Sequence, residues 1–468
     1  MQLTRREFLL QTSACVGYAL GAAAFVAGVQ RFALINAFAQ GSDYRALVCV
    51  FLAGGNDGNN MVIPTSTTEY NLYSAARTTA SGLNIAQGSL LPITPTSIGT
   101  GFGLHPSLAD LHSLWGEQKL AVACNVGPLV QPLTRADYLG GAPRPYQLFS
   151  HSDQVAQWQT AISDRVGSTG WGGRTAERFA VHSSGFPTIT ALSGGIFSRG
   201  VATSPLTIAA APTTLNQVLV LSGFGTTADE VARRTSMDVL RTIDTGNALV
   251  AGAHRTTQQA VDIGKIFSTD VTLTTAFPNT TLGNQLLQVA KVIKFNSTSP
   301  ALGLNRQIFF CQLGGFDTHQ NQVNTQGTLL TQLSQAMKAF HAATMELGVE
   351  QQVTAFTLSD FGRTLQPAGT GAGVVGSDHA WGNHHFIVGG AVQGGDFYGV
   401  PGPNGTVFPQ LQLGGPSDTD TRGRWIPTVS VEQYAATLAR WYGVSAADLP
   451  LVFPNIGRFS TTNLGFLG

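Results

Sequence analysis

The chain is poor in charged residues. Only 11% of its 468 residues are Asp, Glu, Lys or Arg, against roughly a quarter in ordinary soluble domains. The 26 basic and 26 acidic side chains cancel, and no run of Lys or Arg occurs. The sequence therefore offers no basic surface for nucleic acid or for an anionic membrane. Hydrophobic residues make up 43% of the chain, which excludes wholesale disorder and predicts a substantial core.

Cysteine is also scarce. The chain has 4 cysteines, and Cys15 lies in the N-terminal segment. Cys49, Cys124 and Cys311 each lie within an apolar run, where a thiol is usually an inert core group. Three is an odd number, so a disulfide framework is not indicated.

The N-terminal segment has the three parts of an export signal. The pair Arg5–Arg6 precedes a weakly apolar stretch at 14–29, and Ala37–Ala39 offers small residues for cleavage. We therefore predict that residues 1–39 are a twin-arginine signal peptide, carried by the twin-arginine translocase. The mature chain, 40–468, is expected to be periplasmic or secreted and to lack a stable membrane span. The alternative is an uncleaved N-terminal anchor, although the apolar stretch is short for a span of ~20 residues.

Short apolar runs that end in glycine-rich or polar turns are typical of buried parallel strands. They are Ala46–Ala53, Leu120–Val126, Gln307–Leu313, Gln352–Leu358 and Phe386–Val388. A helical pattern at Thr328–Leu347 lies between the third and the fourth run, as in a strand–helix–strand crossover. The predicted fold class is α/β, with a largely parallel central sheet flanked by helices.

The segment 205–299 differs in composition, being rich in Thr, Ala and Gln. Its helical patterns cover Glu230–Phe267 and Leu282–Phe295, so we interpret it as a helical insertion within one domain that spans 40–468. A last helix, Val431–Tyr442, is predicted to close the fold.

Acidic residues follow three of the predicted strands. Asp57, Asp317 and Asp360 would converge on one edge, because ligands bind outside the carboxyl ends of parallel strands. His319 and His379 lie close to them in sequence, and Asp with His supplies ligands that Zn²⁺ and similar ions prefer. Each aspartate alone is more often a helix cap or turn former. The combination at sibling strand ends predicts a metal site.

A nucleophile is less well marked. Ser150 begins a helix-like segment, where the helix N-terminus and nearby metals would activate its hydroxyl; the alternative is an ordinary N-cap. Arg363 either holds an anionic group or pairs with a nearby acid. His384 and His385 are neighbours on a predicted strand, so at most one is expected to face a site.

The motifs resemble those of an exported protein family, domain of unknown function 1501. The matching stretches are FLAGGNDGNNMVIP, GLHPSLADL, FSHSDQVAQW, STGWGGR, LGGFDTH, LSDFGRT, GSDHAWGNHHFIVGGAVQGG and ATLARWYGV. They run in order from about residue 45 to the end of the chain. That family looks like a branch of the alkaline phosphatase and sulfatase superfamily, so the resemblance implies an alkaline-phosphatase-like fold with divalent metals at the strand ends.

The resemblance implies metal ligands and also shows departures. By motif, the expected ligands are Asp57, Asp317, His319, Asp360 and His379. Phe361 stands where the superfamily has the His of an Asp-His pair, which favours one metal over two. His151 stands where a nucleophilic Ser or Thr is expected, so either Ser150 attacks or His151 is a ligand or base. The sulfatase cysteine motif is absent.

The resulting hypothesis is a metal-dependent hydrolase of phosphate or sulfate esters, acting on a small-molecule or envelope substrate. Zinc is the expected metal, with manganese, calcium or iron as alternatives. Ser150 or a metal-bound water would attack, and Arg363 and His384 would assist substrate binding or proton transfer. The alternatives are a non-catalytic binding or assembly protein with a structural metal, and a transferase acting on envelope phosphate groups.

Overall fold

A nine-stranded sheet forms the centre of the protein in the computed structural model. The structure describes residues 43–77, 82–179, 186–219, 223–267, 269–299, 302–370 and 375–468, so the predicted signal peptide lies outside the described residues. Tyr44–Gly468 is one compact unit. None of the helices in the described ranges has the length and apolar character needed to cross a bilayer.

The strands are numbered in chain order. They are β1 (Arg45–Ala53), β2 (Val62–Pro64), β3 (Leu91–Ile93), β4 (Phe102–Leu104), β5 (Leu120–Gly127), β6 (Ile189–Ala191), β7 (Leu206–Thr207), β8 (Arg306–Gly314), β9 (Val353–Ser359), β10 (Arg363–Ala368), β11 (Gly376–His379), β12 (Asn383–Gly389), β13 (Phe397–Tyr398) and β14 (Val429–Ser430). The central sheet has the order β13-β5-β12-β9-β1-β8-β6-β7, with β14 also paired to β5.

The helices are numbered in the same way. They are α1 (Gly58–Met61), α2 (Thr67–Arg77), α3 (Ala109–Gly116), α4 (Arg135–Leu139), α5 (His151–Thr160), α6 (Trp171–Ala176), α7 (Ala228–Leu240), α8 (Ala248–Ile266), α9 (Thr281–Thr298), α10 (Gln322–Glu346), α11 (Val431–Tyr442) and α12 (Leu449–Val452). Short 3-10 turns cover Gln87–Ser89, Pro106–Leu108, Ile196–Ser198, Leu215–Gln217 and Ile456–Arg458.

The sheet is largely parallel, which confirms the predicted fold class. β1 pairs in parallel with both β8 and β9, and β8 pairs in parallel with β6. The run Phe386–Val388 was expected to be parallel as well, and this is wrong. It lies in β12, which is antiparallel to β5 and to β9. An apolar run indicates that a strand is buried, but it does not indicate the direction of the strand in the sheet.

Both faces of the sheet are covered, as the unbroken apolar sequence of β1 requires. Val48 and Val50 point into a cluster formed with α9 and α10, whereas Leu47 and Phe51 point into a second cluster formed with α5, α6 and α11. The strand–helix–strand unit β8–α10–β9 places its two strands on either side of β1. The carboxyl ends of these three strands therefore lie side by side.

Helices occupy most of the segment 205–299, but they differ in burial. None of the residues of α7 is buried, and in α8 Ile263 alone is. In contrast, α9 buries Leu286, Val289 and Ile293 against the sheet and leads into β8. Only the part containing α7 and α8 is peripheral, and α9 belongs to the core.

Candidate metal centre

The carboxyl ends of β1, β8 and β9 define the edge where the candidate site lies. The register pairs Ala53 with Gly314 and Leu52 with Ser359. Asp360 directly follows β9 and Asp317 lies three residues beyond β8. Two of the three predicted aspartates thus reach this edge from neighbouring strands.

Two glycines after β1 allow the loops to touch. Gly54 has φ +115°, and a Cβ on it would lie 2.3 Å from the amide nitrogen of Asp317. Gly55 has φ +83°, and its Cβ would lie 2.4 Å from the ring of Phe361. The Gly54 N–H also donates to Asp360 Oδ1 at 2.9 Å. The Gly-Gly pair therefore brings the three strand-end loops together because no side chain keeps them apart.

Arg363, at the start of β10, connects these loops through hydrogen bonds. Its side chain is 1% exposed. It donates to Gly55 O at 2.8 Å, Ser377 O at 2.9 Å, Gly54 O at 2.5 Å, Phe316 O at 3.1 Å and Asp317 Oδ1 at 2.6 Å. Of the two roles considered from the sequence, the contacts show pairing with an acid. Arg363 positions Asp317, and its donors are used by the protein itself.

Three imidazoles surround Asp317. Its Oδ1 lies 3.1 Å from Nε2 of His319, 3.4 Å from Nε2 of His151 and 3.7 Å from Nε2 of His379. The Nε2 atoms of His319 and His379 are 2.9 Å apart. One ligand atom from each of His151, Asp317 and His379 lies within 4.8 Å of the others. We call these four residues the His–Asp cluster.

The other ring nitrogen of each imidazole has its own partner. His151 Nδ1 lies 2.7 Å from Asp360 Oδ2, and His379 Nδ1 lies 2.7 Å from the carbonyl oxygen of Phe149. Since both partners are acceptors, each Nδ1 carries the proton and donates. His319 Nδ1 lies 3.4 Å from Asp378 Oδ1. This is how proteins fix the tautomer and orientation of metal-binding histidines, with the Nε2 lone pair directed inward.

The turn before α5 supplies one of these partners. Gln147 and Phe149 both have positive φ, at 46° and 72°, which non-glycine residues seldom adopt. Phe149 in this conformation presents its carbonyl oxygen to His379, while His151 is the first residue of α5. Ser150 is the N-cap position, but its side chain accepts no hydrogen bond from the backbone N–H groups of the first turn of α5. Its hydroxyl instead donates to Asp153 Oδ2 at 2.6 Å.

The pKa values of the cluster differ from one residue to another. The hydrogen bond to Asp360 raises the pKa of His151, against a smaller effect of burial. Burial lowers the pKa of His379, so this ring is neutral near pH 7. Burial alone would raise the pKa of Asp317, but the hydrogen bond and the charge of Arg363 outweigh it and lower the pKa. Asp317 is therefore a carboxylate at neutral pH.

The cluster fits a divalent metal ion. His151 Nε2 is buried and has no hydrogen-bond partner among the described residues, although it faces Asp317 Oδ1. The distances of 3.1, 3.4 and 3.7 Å from Asp317 Oδ1 to the three Nε2 atoms suit one ion. Ligands bound at about 2.0–2.1 Å in a tetrahedron lie about 3.3 Å apart. Imidazole with carboxylate favours zinc or a similar ion. The side chain of Asp317 is 49% exposed, so the cluster is open to solvent.

A family model described as "Protein of unknown function (DUF1501)" matches residues 44–407. The chain belongs to the DUF1501 family. This confirms the resemblance found in the motifs. A search of curated proteins found no match to the chain.

The solved structures that are similar to this DUF1501 chain include the following two. One is the C-terminal periplasmic domain of EcEptC from Escherichia coli in complex with Zn, at 10% identity and a TM-score of 0.31, covering 75% of this chain and 74% of that one. The other is the PsFucS1 sulfatase from Pseudoalteromonas sp., at 8% identity and a TM-score of 0.30, covering 78% and 68%.

Asp57 lies outside the His–Asp cluster of this DUF1501 protein. Its side chain is fully buried and pairs with Arg77, with nitrogen–oxygen distances of 2.5 and 2.9 Å. It also accepts from Gln322 Nε2 at 2.5 Å and from the Asn59 N–H at 3.1 Å, as the N-cap of α1. The predicted ligand therefore has the capping role that was its alternative, and both of its oxygens are in use.

Asp360 and His384 also have contacts other than those expected. Asp360 is placed at the site, but as the partner of His151 and of the Gly54 N–H. His384 stacks on Phe408 with ring centroids 4.6 Å apart, and burial lowers its pKa to about 3. His385 packs against Trp158 on the opposite face. The predicted assistance of His384 in proton transfer does not fit a ring that stays neutral and buried.

Sequence reasoning missed some partners of the site. Asp378 precedes His379 in the GSDHAW motif, and its position beside a predicted ligand was an available signal; it lies between His319 and Arg422. The Phe149 carbonyl had no signal, because backbone groups leave no trace in residue type. Gln322 and Arg77, the partners of Asp57, are distant from it in sequence.

Proposed function

We propose that this protein is an exported, metal-dependent hydrolase of phosphate or sulfate esters. One observation carries the proposal: imidazole Nε2 atoms gather around Asp317 Oδ1 at a solvent-open sheet edge, and their Nδ1 atoms are held by other groups. An assembly that only stabilised the fold would need no such opening. Zinc is the metal that the ligand set favours, with manganese, iron or calcium as alternatives.

The protein groups have distinct tasks under this proposal. His151, Asp317, His319 and His379 hold the ion, which when bound would stabilise negative charge that develops on the ester. Arg363 keeps Asp317 ionised and in place. Asp360 keeps the Nδ1 proton of His151 directed away from the ion.

Ser150 remains the proposed nucleophile. Its hydroxyl donates to Asp153 Oδ2 at 2.6 Å, so a carboxylate is in place to accept the proton when the oxygen attacks phosphorus or sulfur. In that step the bond to the ester's alcohol oxygen would break and the alcohol would leave, and water would then cleave the seryl ester to release phosphate or sulfate. Its neighbour in the chain is His151, a proposed ligand. Water is the alternative nucleophile, and Ser150→Ala separates the two, because only the serine mechanism loses turnover in that variant.

The test of this function is turnover of aryl esters by the zinc-loaded full-length protein. We expect hydrolysis of at least one of an aryl phosphate monoester, an aryl phosphate diester and an aryl sulfate. His379→Ala should lower the rate at least about 100-fold, as loss of a group that supports transition-state charge does. The matched control is His112→Ala, which removes a ring on α3 that contacts the carbonyl oxygen of Pro92, and it should keep full activity. Equal turnover in His379→Ala and wild type would overturn the proposal.

One observation favours the binding alternative, in which the metal is structural. The guanidinium groups near the site are already used: Arg363 by Asp317 and backbone, Arg422 by Asp378 and Arg424 by Asp420. None of these is left to hold an anionic ester. A protein that binds one equivalent of metal but turns over none of the three esters would support this alternative.

A further inference from the structure

The helices α7 and α8 border a cleft that is remote in sequence from the His–Asp cluster. The cleft has a volume of about 830 Å³, within the range of roughly 300–1,000 Å³ that small-molecule sites occupy. Its apolar lining includes Leu219, Phe224, Met237 and Val261. A space of this size with apolar walls suits a ligand that has a hydrocarbon or aromatic body.

The basic side chains of this segment are concentrated on the cleft. The range 228–266 carries five basic and five acidic residues, so it has no net charge. The cleft lining nevertheless includes four of the basic residues, Arg234, Arg241, Arg255 and Lys265, and one of the acidic residues, Asp238. The cleft is thus positive although the segment that forms it is neutral, and this asymmetry favours an anionic ligand.

Some side-chain nitrogen atoms that line the cleft have no hydrogen-bond partner among the described residues. Arg241 binds Asp238 through Nη2, but its Nη1 is buried without a hydrogen-bond partner among the described residues. His254 Nδ1 in the cleft is likewise buried and unpartnered within the described chain. The side chain of Arg255 is exposed and makes no hydrogen bond or ion pair with the part of the chain that the structure describes. A buried donor without an acceptor, such as Arg241 Nη1, is costly, and a bound anion would satisfy it.

We propose that this cleft binds a small anionic amphiphile, with a carboxylate or phosphate head at Arg241, His254 and Arg255 and an apolar body along Phe224 and Met237. Arg234 already donates to the backbone oxygens of residues 224 and 225, and Lys265 pairs with Asp262. These two side chains therefore add positive charge to the cleft but are not assigned a direct contact with the head group. A cationic amphiphile of equal chain length lacks this complementarity. The proposal is independent of the metal site.

Isothermal titration calorimetry of the full-length protein tests the proposal. The probes are laurate, dodecyl phosphate and dodecyltrimethylammonium, each below its micelle-forming concentration. We expect saturable binding of at least one anionic probe, and the better of the two identifies the head group. The cationic probe should not bind. Arg255→Gln removes a charge that has no structural partner, so it should weaken anionic binding about tenfold without altering the fold.

A second cleft variant and a control keep the test decisive. Arg241→Gln should weaken anionic binding by a similar factor. Arg233→Gln removes an arginine from the same helix that does not line the cleft, so its affinity should equal that of the wild type. Equal binding of the cationic probe, unchanged affinity in Arg255→Gln, or no binding of either anion would overturn the proposal.

Discussion

Asp57 and Asp317 follow neighbouring strands of one sheet, yet their carboxylates have different partners. Asp57 is buried against Arg77 and Gln322, whereas the side chain of Asp317 is 49% exposed and faces imidazoles. The difference arises from what the rest of the chain brings to each strand end. A residue type at a strand end therefore defines a candidate ligand, and only its partners decide whether it is free to bind.

Replacing Asp57 tests its structural role. Asp57→Asn removes the carboxylate charge from a fully buried ion pair with Arg77, so the free energy of unfolding should fall by about 3–5 kcal/mol. The metal content should stay at the wild-type level. Urea unfolding and elemental analysis of the same sample measure both. Asp317→Asn is the matched comparison, and it should lose the metal. A folded Asp57→Asn protein that has lost its metal would show that Asp57 is a ligand.

At the scale of the elements, the loop after β1 controls the distance between strand ends. A Cβ on Gly54 would lie 2.3 Å from Asp317 N and 2.8 Å from Phe316 C, and both are backbone atoms that cannot rotate away. The positive φ of Gly54 adds strain for any other residue. The position of Asp317 thus depends on a glycine at position 54, in the loop after β1.

Gly54→Ala should therefore displace the β8 loop. We expect loss of metal binding and a decrease of at least about 1–3 kcal/mol in the free energy of unfolding, because both strain and overlap oppose the native loop. Gly314→Ala is the control, since a Cβ there meets nothing within 4 Å at the same sheet edge. Metal content and urea unfolding measured on both variants check this. Normal metal binding by Gly54→Ala would contradict the described loop contact.

The first turn of α11 contains a buried acid that the proposed chemistry does not use. Glu432 is fully buried, and neither of its oxygens has a hydrogen-bond partner among the described residues. Burial raises its pKa from 4.5 to about 8, although its own N–H and the Ser430 hydroxyl are near enough to oppose this in part. The folded state therefore favours the protonated acid. Between pH 4.5 and about 8, Glu432 is ionised in the unfolded chain but protonated in the folded one, so the free energy of unfolding falls as the pH rises.

Glu432→Gln should remove this pH dependence. Near pH 4 the variant and the wild type should be about equally stable, because the acid is protonated in both the folded and the unfolded chain. Above pH 8 the variant should be more stable by on the order of 5 kcal/mol, from 1.36 kcal/mol per pKa unit. Urea unfolding across this pH range measures the difference. Glu117→Gln, at an exposed position, is the control, and a difference that does not change with pH would contradict the account.

At the scale of the whole molecule, the sequence predicted what depends on local pattern. β1, β8 and β9 were predicted within about a residue, because buried parallel strands need unbroken apolar runs, and Val431–Tyr442 was predicted to the residue. The direction of β12 could not be predicted, since pairing partners decide it. The ion pair between Asp57 and Arg77 could not be predicted either, because a buried ion pair between residues far apart in sequence leaves no local pattern.

The candidate site needs the whole fold. Its members come from the first turn of α5, the loop after β8 and strand β11, and they meet only when the sheet is assembled. An ion bound there would stabilise the folded chain by mass action.

The central claim is that the His–Asp cluster holds a metal ion, and elemental analysis by inductively coupled plasma mass spectrometry tests it most directly. The samples are the protein exported by its own signal and an Asp317→Ala/His319→Ala variant, with His112→Ala as the control. We predict about one zinc, manganese, iron or calcium ion per chain in the wild type and in the control, and none in the double variant. A well-folded wild type that binds no metal, even after reconstitution, would contradict the account.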